Sequence, residues 1–176
     1  MMAADTTLPR HCEVAGSVAG SAEEVFDFLD DPARLTAHMS RSSWTMGGGR
    51  MVLELDAGAG RRVGSVMTLS GHAFGLALDL QEIVIERDAP RRKVWHTTGA
   101  PRLWVIAQYR LGFEIDPQTD GSRVCVFIDY ALPMTGMGRW LGLLFGSGYA
   151  KWCTRRMLDD AREHFARHPG DLQAAR

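Results

Sequence analysis

Between residues 51 and 132 the chain reads as one period-two segment after another, separated by turn residues, and no helical pattern appears until about residue 135. Six segments carry the alternation: 51–56, 64–74, 76–86, 93–98, 103–115 and 124–132. The links between them are short. Parallel neighbours need crossovers of a dozen or more residues, so these strands are expected to pair as antiparallel hairpins. A seventh strand precedes them, because in 11–18 Cys12, Val14, Gly16 and Val18 alternate with His11, Glu13, Ala15 and Ser17.

Helical signals flank this run and make the class α+β. Ser21-Ala-Glu-Glu24 is a capping box, followed by the apolar face Val25, Phe26, Phe28 and Leu29, which ends near Asp30-Asp31. Pro32 suits the first turn of a second short helix reaching about Met39, where an amide donor is not needed. A Gly47-Gly48-Gly49 loop follows. The last element spans about 135–165, and its second half is amphipathic: Ala150, Cys153, Met157, Leu158, Ala161 and Phe165 form one stripe.

In its first half Trp140, Leu141, Leu144, Phe145, Tyr149 and Trp152 point largely to the opposite side. Either the helix breaks at Gly146-Ser147-Gly148, with Ser147 as a new N-cap, or a bulky apolar patch faces outward. The break is the preferred reading. Glycine is abundant, 19 of 176 residues, and five of the 19 (Gly136, Gly138, Gly142, Gly146 and Gly148) fall in this half. The four-residue spacing of Gly138, Gly142 and Gly146 permits close backbone approach or leaves room for a ligand.

Parity sets the register of the last hairpin. The odd positions of 103–115 and the even positions of 124–132 are apolar or uncharged, and pairing them brings Arg110 opposite Asp129 on the outer face. In 76–86 the apolar signal moves from Leu76, Leu78 and Leu80 to Ile83 and Ile85, so a β-bulge is expected near Gln81-Glu82.

A length of 176 residues fits one domain, expected over 11–166, with a loose arm at 1–10 and a flexible tail at 167–176. Twenty Lys and Arg against 21 Asp and Glu leave a net charge of −1, with no overall positive field for nucleic acid or an anionic membrane. No stretch approaches the about 20 apolar residues of a membrane-spanning helix. Three cysteines without C-x-x-C spacing fit free thiols in a cytoplasmic setting.

The order of one strand, two short helices, six strands and a long helix resembles the START-like, or helix-grip, superfamily. Within it the chain is similar to the polyketide cyclase/dehydrase and lipid-transport branch, often labelled SRPBCC. The resemblance covers about 11–166. It rests on Ser21-Ala-Glu-Glu-Val-Phe-Asp-Phe-Leu29 with Asp31-Pro32, on Val84-Ile-Glu-Arg-Asp-Ala-Pro-Arg-Arg-Lys93 leading to Trp95, and on the closing helix. It implies a seven-stranded bent antiparallel sheet gripping the long C-terminal helix, with a cavity between them for a hydrophobic or aromatic small molecule, lipid-like or polyketide-like. A pocket for such a ligand is roughly 300 Å³ or more.

Motifs for catalysis or for a cofactor are absent. There is no P-loop, H-E-x-x-H or G-x-S-x-G, and two glycine clusters miss G-x-G-x-x-G by one residue, so neither a cofactor nor a metal is expected. Tyr109 and Tyr130 fall on the inner faces of the last hairpin as candidate polar groups of the cavity. His72 points inward if it pairs with Leu78 and outward if the register shifts by one, and His96 competes with Trp95 for the inner face. His38 ends the second helix beside the Ser42-Ser43-Trp44 segment, at a cavity entrance or as a helix C-terminal cap. Trp44, Phe113 and Met157 are apolar wall candidates. An enzyme of the cyclase/dehydrase kind is the alternative to a binding protein, and two or more convergent polar groups in the cavity would favour it. A third reading is an interaction module using the Trp140–Trp152 patch, including a homodimer through Trp140 and Phe145.

Overall fold

The capping box forms as written. Glu24 N–H donates to the Ser21 hydroxyl, and Ser21 N–H donates to Glu24 Oε2 at 3.0 Å. It starts α1, Ala22–Leu29, which buries Val25, Phe26 and Leu29; Phe26 meets Phe113 edge to face at 5.6 Å between ring centres. In the computed structural model residues 8–34, 50–73 and 76–167 are described. Residues 32–34 are helical after Pro32, while the rest of the expected second helix and the Gly47–Gly49 loop lie outside the described residues.

Seven strands make one antiparallel sheet: β1 (Arg10–Val18), β2 (Arg50–Leu55), β3 (Val66–Ala73), β4 (Leu76–Asp88), β5 (Arg92–Arg102), β6 (Tyr109–Gln118) and β7 (Gly121–Tyr130). Their spatial order is β1-β7-β6-β5-β4-β3-β2, so β1 joins the far side of β7 after the hairpins have run their course. The long helix α2, Gly136–Arg167, packs along β1 and β7. This is the helix-grip α+β architecture.

The β6–β7 hairpin has the register that parity dictates. Arg110 lies opposite Asp129 and Tyr109 opposite Tyr130. Arg110 Nη2 is 2.7 Å from Asp129 Oδ2, and His11 Nδ1 on β1 reaches Asp129 Oδ1 at 2.7 Å, so one carboxylate ties three strands on the outer face. The turn is tighter than expected, because Gln118 already pairs with Gly121. Gly121 has φ +135°, and a Cβ there would stand 2.4 Å from the Val18 carbonyl oxygen, so only glycine fits.

Three expectations are corrected. First, β6 begins at Tyr109 and not at Leu103. The β5 strand extends to Arg102, and 103–108 is an irregular crossing in which Ile106, of the wrong parity for the expected strand, is fully buried. Second, no phase change occurs at Gln81-Glu82. Leu78, Leu80, Glu82 and Val84 keep one face, and the extra residue on β4 comes later, between Val84 and Glu86, with a second irregularity opposite β5 between Asp79 and Gln81. Outward Ile83 and Ile85 imitate a switch.

Third, α2 is continuous for 32 residues, without a break at Gly146–Gly148. Gly142 and Gly146 are buried: a Cβ on Gly146 would meet Leu132 at 2.6 Å and the Val105 carbonyl oxygen at 2.9 Å. With Ala150, Thr154 and Leu158 they form one stripe at four-residue spacing. The inward face of the first half is therefore made of glycine, and its bulk points outward.

Candidate functional site

The inner face of the sheet and the underside of α2 enclose a cavity of about 130 Å³. Its walls are apolar: Met51 and Leu53 from β2, Met67 and Leu69 from β3, Leu78 and Leu80 from β4, Leu111 from β6, Ile128 from β7, and Met157 from α2. Tyr149 and Trp152, both partly exposed, lie on its helix side. The volume is below the roughly 300 Å³ expected for a drug-sized ligand. It is close to that of engineered cavities of ~150 Å³ that admit benzene, so it has room for a single ring or the end of a chain.

Into this wall β4 projects Glu82, 7% exposed and flanked across the sheet by Met67 and Thr97. Its Oε1 accepts a hydrogen bond from Trp95 Nε1 at 3.1 Å and a short one from the Tyr109 hydroxyl. Tyr109 is itself fixed, because its N–H donates to Thr97 Oγ1 at 3.1 Å. Burial pushes the Glu82 carboxyl up to about 7, although the bonds from Tyr109 and Trp95 and the charge of Lys93 oppose the shift. Burial and the neighbouring Glu82 hold the Tyr109 hydroxyl well above its ordinary value, so it remains a donor. At neutral pH the cavity thus contains a carboxyl poised between its two forms.

A buried ion cluster borders the site. Lys93, 1% exposed, donates to Asp30 Oδ1 at 2.7 Å and to the Asp30 carbonyl at 2.9 Å, and Arg87 Nη2 donates to Asp30 Oδ2 at 2.8 Å. Burial lowers the Lys93 ammonium, with Asp30 pulling it back. The cluster caps the carbonyl end of α1 and anchors it to β4 and β5. On α2, burial pushes the Cys153 thiol up to about 12, which leaves it a poor nucleophile. Among the described residues no three His, Cys, Asp or Glu side chains gather so as to hold a metal ion.

Of the residues singled out in the sequence, Trp95, Tyr109 and Met157 line the cavity. Phe113 and Tyr130 are buried beside it, Phe113 against Phe26 and Trp95, Tyr130 with Ile106 and Ala150. The two histidines are outside it. His72 pairs with Ala77, the register that sends its ring to the exposed face, and His96 is on the outer face because Trp95 and Thr97 take the inner one. Burial and nearby Arg110 lower the His96 imidazole. His38 and Trp44 lie outside the described residues. Glu82 was not singled out, yet the unbroken alternation of Leu78, Leu80, Glu82 and Val84 marks it.

No family model and no curated protein matches the chain. Solved structures do. A Thermus thermophilus protein aligns with a TM-score of 0.63 and 17% identity, over 88% of this chain and 95% of that one. A Thermobifida fusca protein gives 0.62 and 17%, over 89% and 93%. Ara h 8.0201 gives 0.54 and 12%, over 85% and 98%. At these identities the likeness is one of fold, the helix-grip α+β fold.

Proposed function

We propose that the protein binds a small apolar or aromatic molecule bearing one polar group, with the ring or chain end in the cavity and the polar group against Glu82. The observation that carries this reading is an apolar cavity interrupted by one carboxyl held in place by Tyr109 and Trp95. A hydroxyl satisfies Glu82 in either protonation state and a carbonyl satisfies it when protonated, whereas a hydrocarbon leaves it without a ligand partner. A lipid-like or polyketide-like ligand, as the START-like branch implies, would place only one end inside.

The test is native mass spectrometry of the purified protein with extraction of any passenger, followed by calorimetric titration with phenol and toluene. The expected result is one ligand per chain and at least tenfold tighter binding of phenol, the discrimination that one good hydrogen bond provides. Glu82→Leu is expected to remove the preference, and Glu82→Gln to retain most of it. An empty protein that takes up neither compound overturns the reading.

The raised pKa values of Glu82 and Tyr109 favour a second reading, a cyclase/dehydrase-type enzyme in which Glu82 takes and returns a proton near neutral pH and Tyr109 positions it. Under that reading Glu82→Gln abolishes turnover of a bound enolisable aromatic ketone while leaving its affinity within a fewfold.

A further inference from the structure

The glycine stripe draws one face of α2 against the protein and leaves the opposite face bare. Trp140 and Leu144 are each 70% exposed, and Met137 and Phe145 stand with them at 64% and 57%. Met137, Leu144 and Lys151 are seven residues apart and fall on nearly one line of the helix, so the apolar row runs directly into a cationic end. Arg155 lies one turn beyond.

The charges here are of one sign. Between residues 131 and 158 the chain has Arg139, Lys151, Arg155 and Arg156 and no Asp or Glu. Arg156 is paired with Asp160 at 2.8 Å, while Arg139, Lys151 and Arg155 enter no ion pair among the described residues. The near-zero net charge hides this segregation: the other acids of α2, Asp159 and Glu163, lie beside Arg162 at 3.6 Å and Arg167 at 3.0 Å, and acids more than about 8 Å away are screened at physiological salt.

We propose that this face of α2 docks the protein onto an anionic lipid bilayer, with Trp140, Leu144 and Phe145 in the headgroup boundary and Lys151 and Arg155 against the lipid phosphates. Bulky apolar residues on a helix with a flanking cationic row are the composition of an in-plane interfacial helix. Among the described residues no helix is long and apolar enough to cross a membrane, so α2 would lie on the surface. A second copy suits the face less well, because an antiparallel self-pairing centred on Leu144 would set Lys151 and Arg155 against the uncharged residues 133–137 of the other copy, with no acid to meet them. Tyr149 and Trp152 belong both to α2 and to the cavity lining, so docking would bring the cavity's helix side near the lipid. The docking itself requires no ligand in the cavity and is independent of the function proposed above.

The full chain is mixed with vesicles of phosphatidylcholine alone and of phosphatidylcholine with an equal part of phosphatidylglycerol, and binding is read by co-sedimentation and tryptophan emission. Binding is expected to the mixed vesicles, with a blue shift in emission, and to weaken at high salt. K151E/R155E is expected to lose at least on the order of 25-fold, about fivefold for each cation removed, with the added carboxylates weakening binding further. W140S/F145S changes exposed positions only, and is expected to lose more than about tenfold and the blue shift while its circular dichroism is unchanged. Equal binding to the two vesicle types, or wild-type binding by K151E/R155E, overturns the proposal. So does a solution dimer that W140S/F145S converts to monomer without any vesicle binding, which would assign the face to a second copy.

Discussion

Glu82 sits where its charge is poorly solvated, and that makes stability depend on pH in an unusual direction for a carboxylate. The unfolded chain releases this proton near 4.5 and the folded protein near 7. Between those values the folded state holds more protons, so the contribution of Glu82 to stability falls as pH rises and levels off above about 7. The loss is on the order of 3 kcal/mol. Glu82→Gln keeps the acceptor for Tyr109 and Trp95 and removes the ionisation, so its stability advantage should grow from near zero at about pH 4.5 to that magnitude at pH 8. Urea unfolding of both proteins across this range measures it, and a pH-independent difference would show that Glu82 does not titrate as described. Reading the sequence missed this residue because a charge in a strand is ordinarily turned to solvent. Ile83 and Ile85 added to the misdirection by being apolar on the outer face. Tyr109 was legible, since it follows the alternation of its own strand, whereas in the sequence Trp95 competes with His96 for the inner face.

At the scale of elements, α2 was legible as a helix but not as an unbroken one. Glycine ranks as a weak helix former by intrinsic propensity, and the same residue is favoured where a helix must approach backbone closely. Gly146 and Gly148 separate the two effects. Nothing lies within 4 Å of a Cβ placed on Gly148, so Gly148→Ala should stabilise by up to about 1 kcal/mol. Gly146→Ala gains the same propensity but drives its methyl into the Val105 carbonyl and Leu132, and should destabilise by about 1–3 kcal/mol. Denaturant midpoints distinguish the two, and equal gains would remove the packing argument for a continuous helix. The β5–β6 boundary was illegible for a related reason. Leu103, Val105 and Ala107 alternate as a strand would, but Ala107 N–H bonds to the Ala131 carbonyl and Trp104 Nε1 to that of Ala77, contacts that no local pattern encodes.

For the whole molecule, the number and order of elements were readable, because strand parity and capping are local. The size of the cavity was not, since it depends on how far α2 sits from the sheet, and the glycine stripe draws it close. The small volume leads to a prediction for the intact domain. Phenol at ~100 times its dissociation constant should raise stability by about 2.7 kcal/mol and the melting temperature by roughly 5–10 °C. A long alkyl phenol should do no better than its ring alone, and a much larger shift in differential scanning fluorimetry would mean that more of the ligand is enclosed. The position of β1 beside β7 has a consequence for synthesis. His11 meets Asp129 across 118 residues of chain, so β1 cannot take its place until β7 has followed it from the ribosome. Completion of the sheet is thus deferred until β7 has been made, and a chain stopped before β7 has no place to put β1.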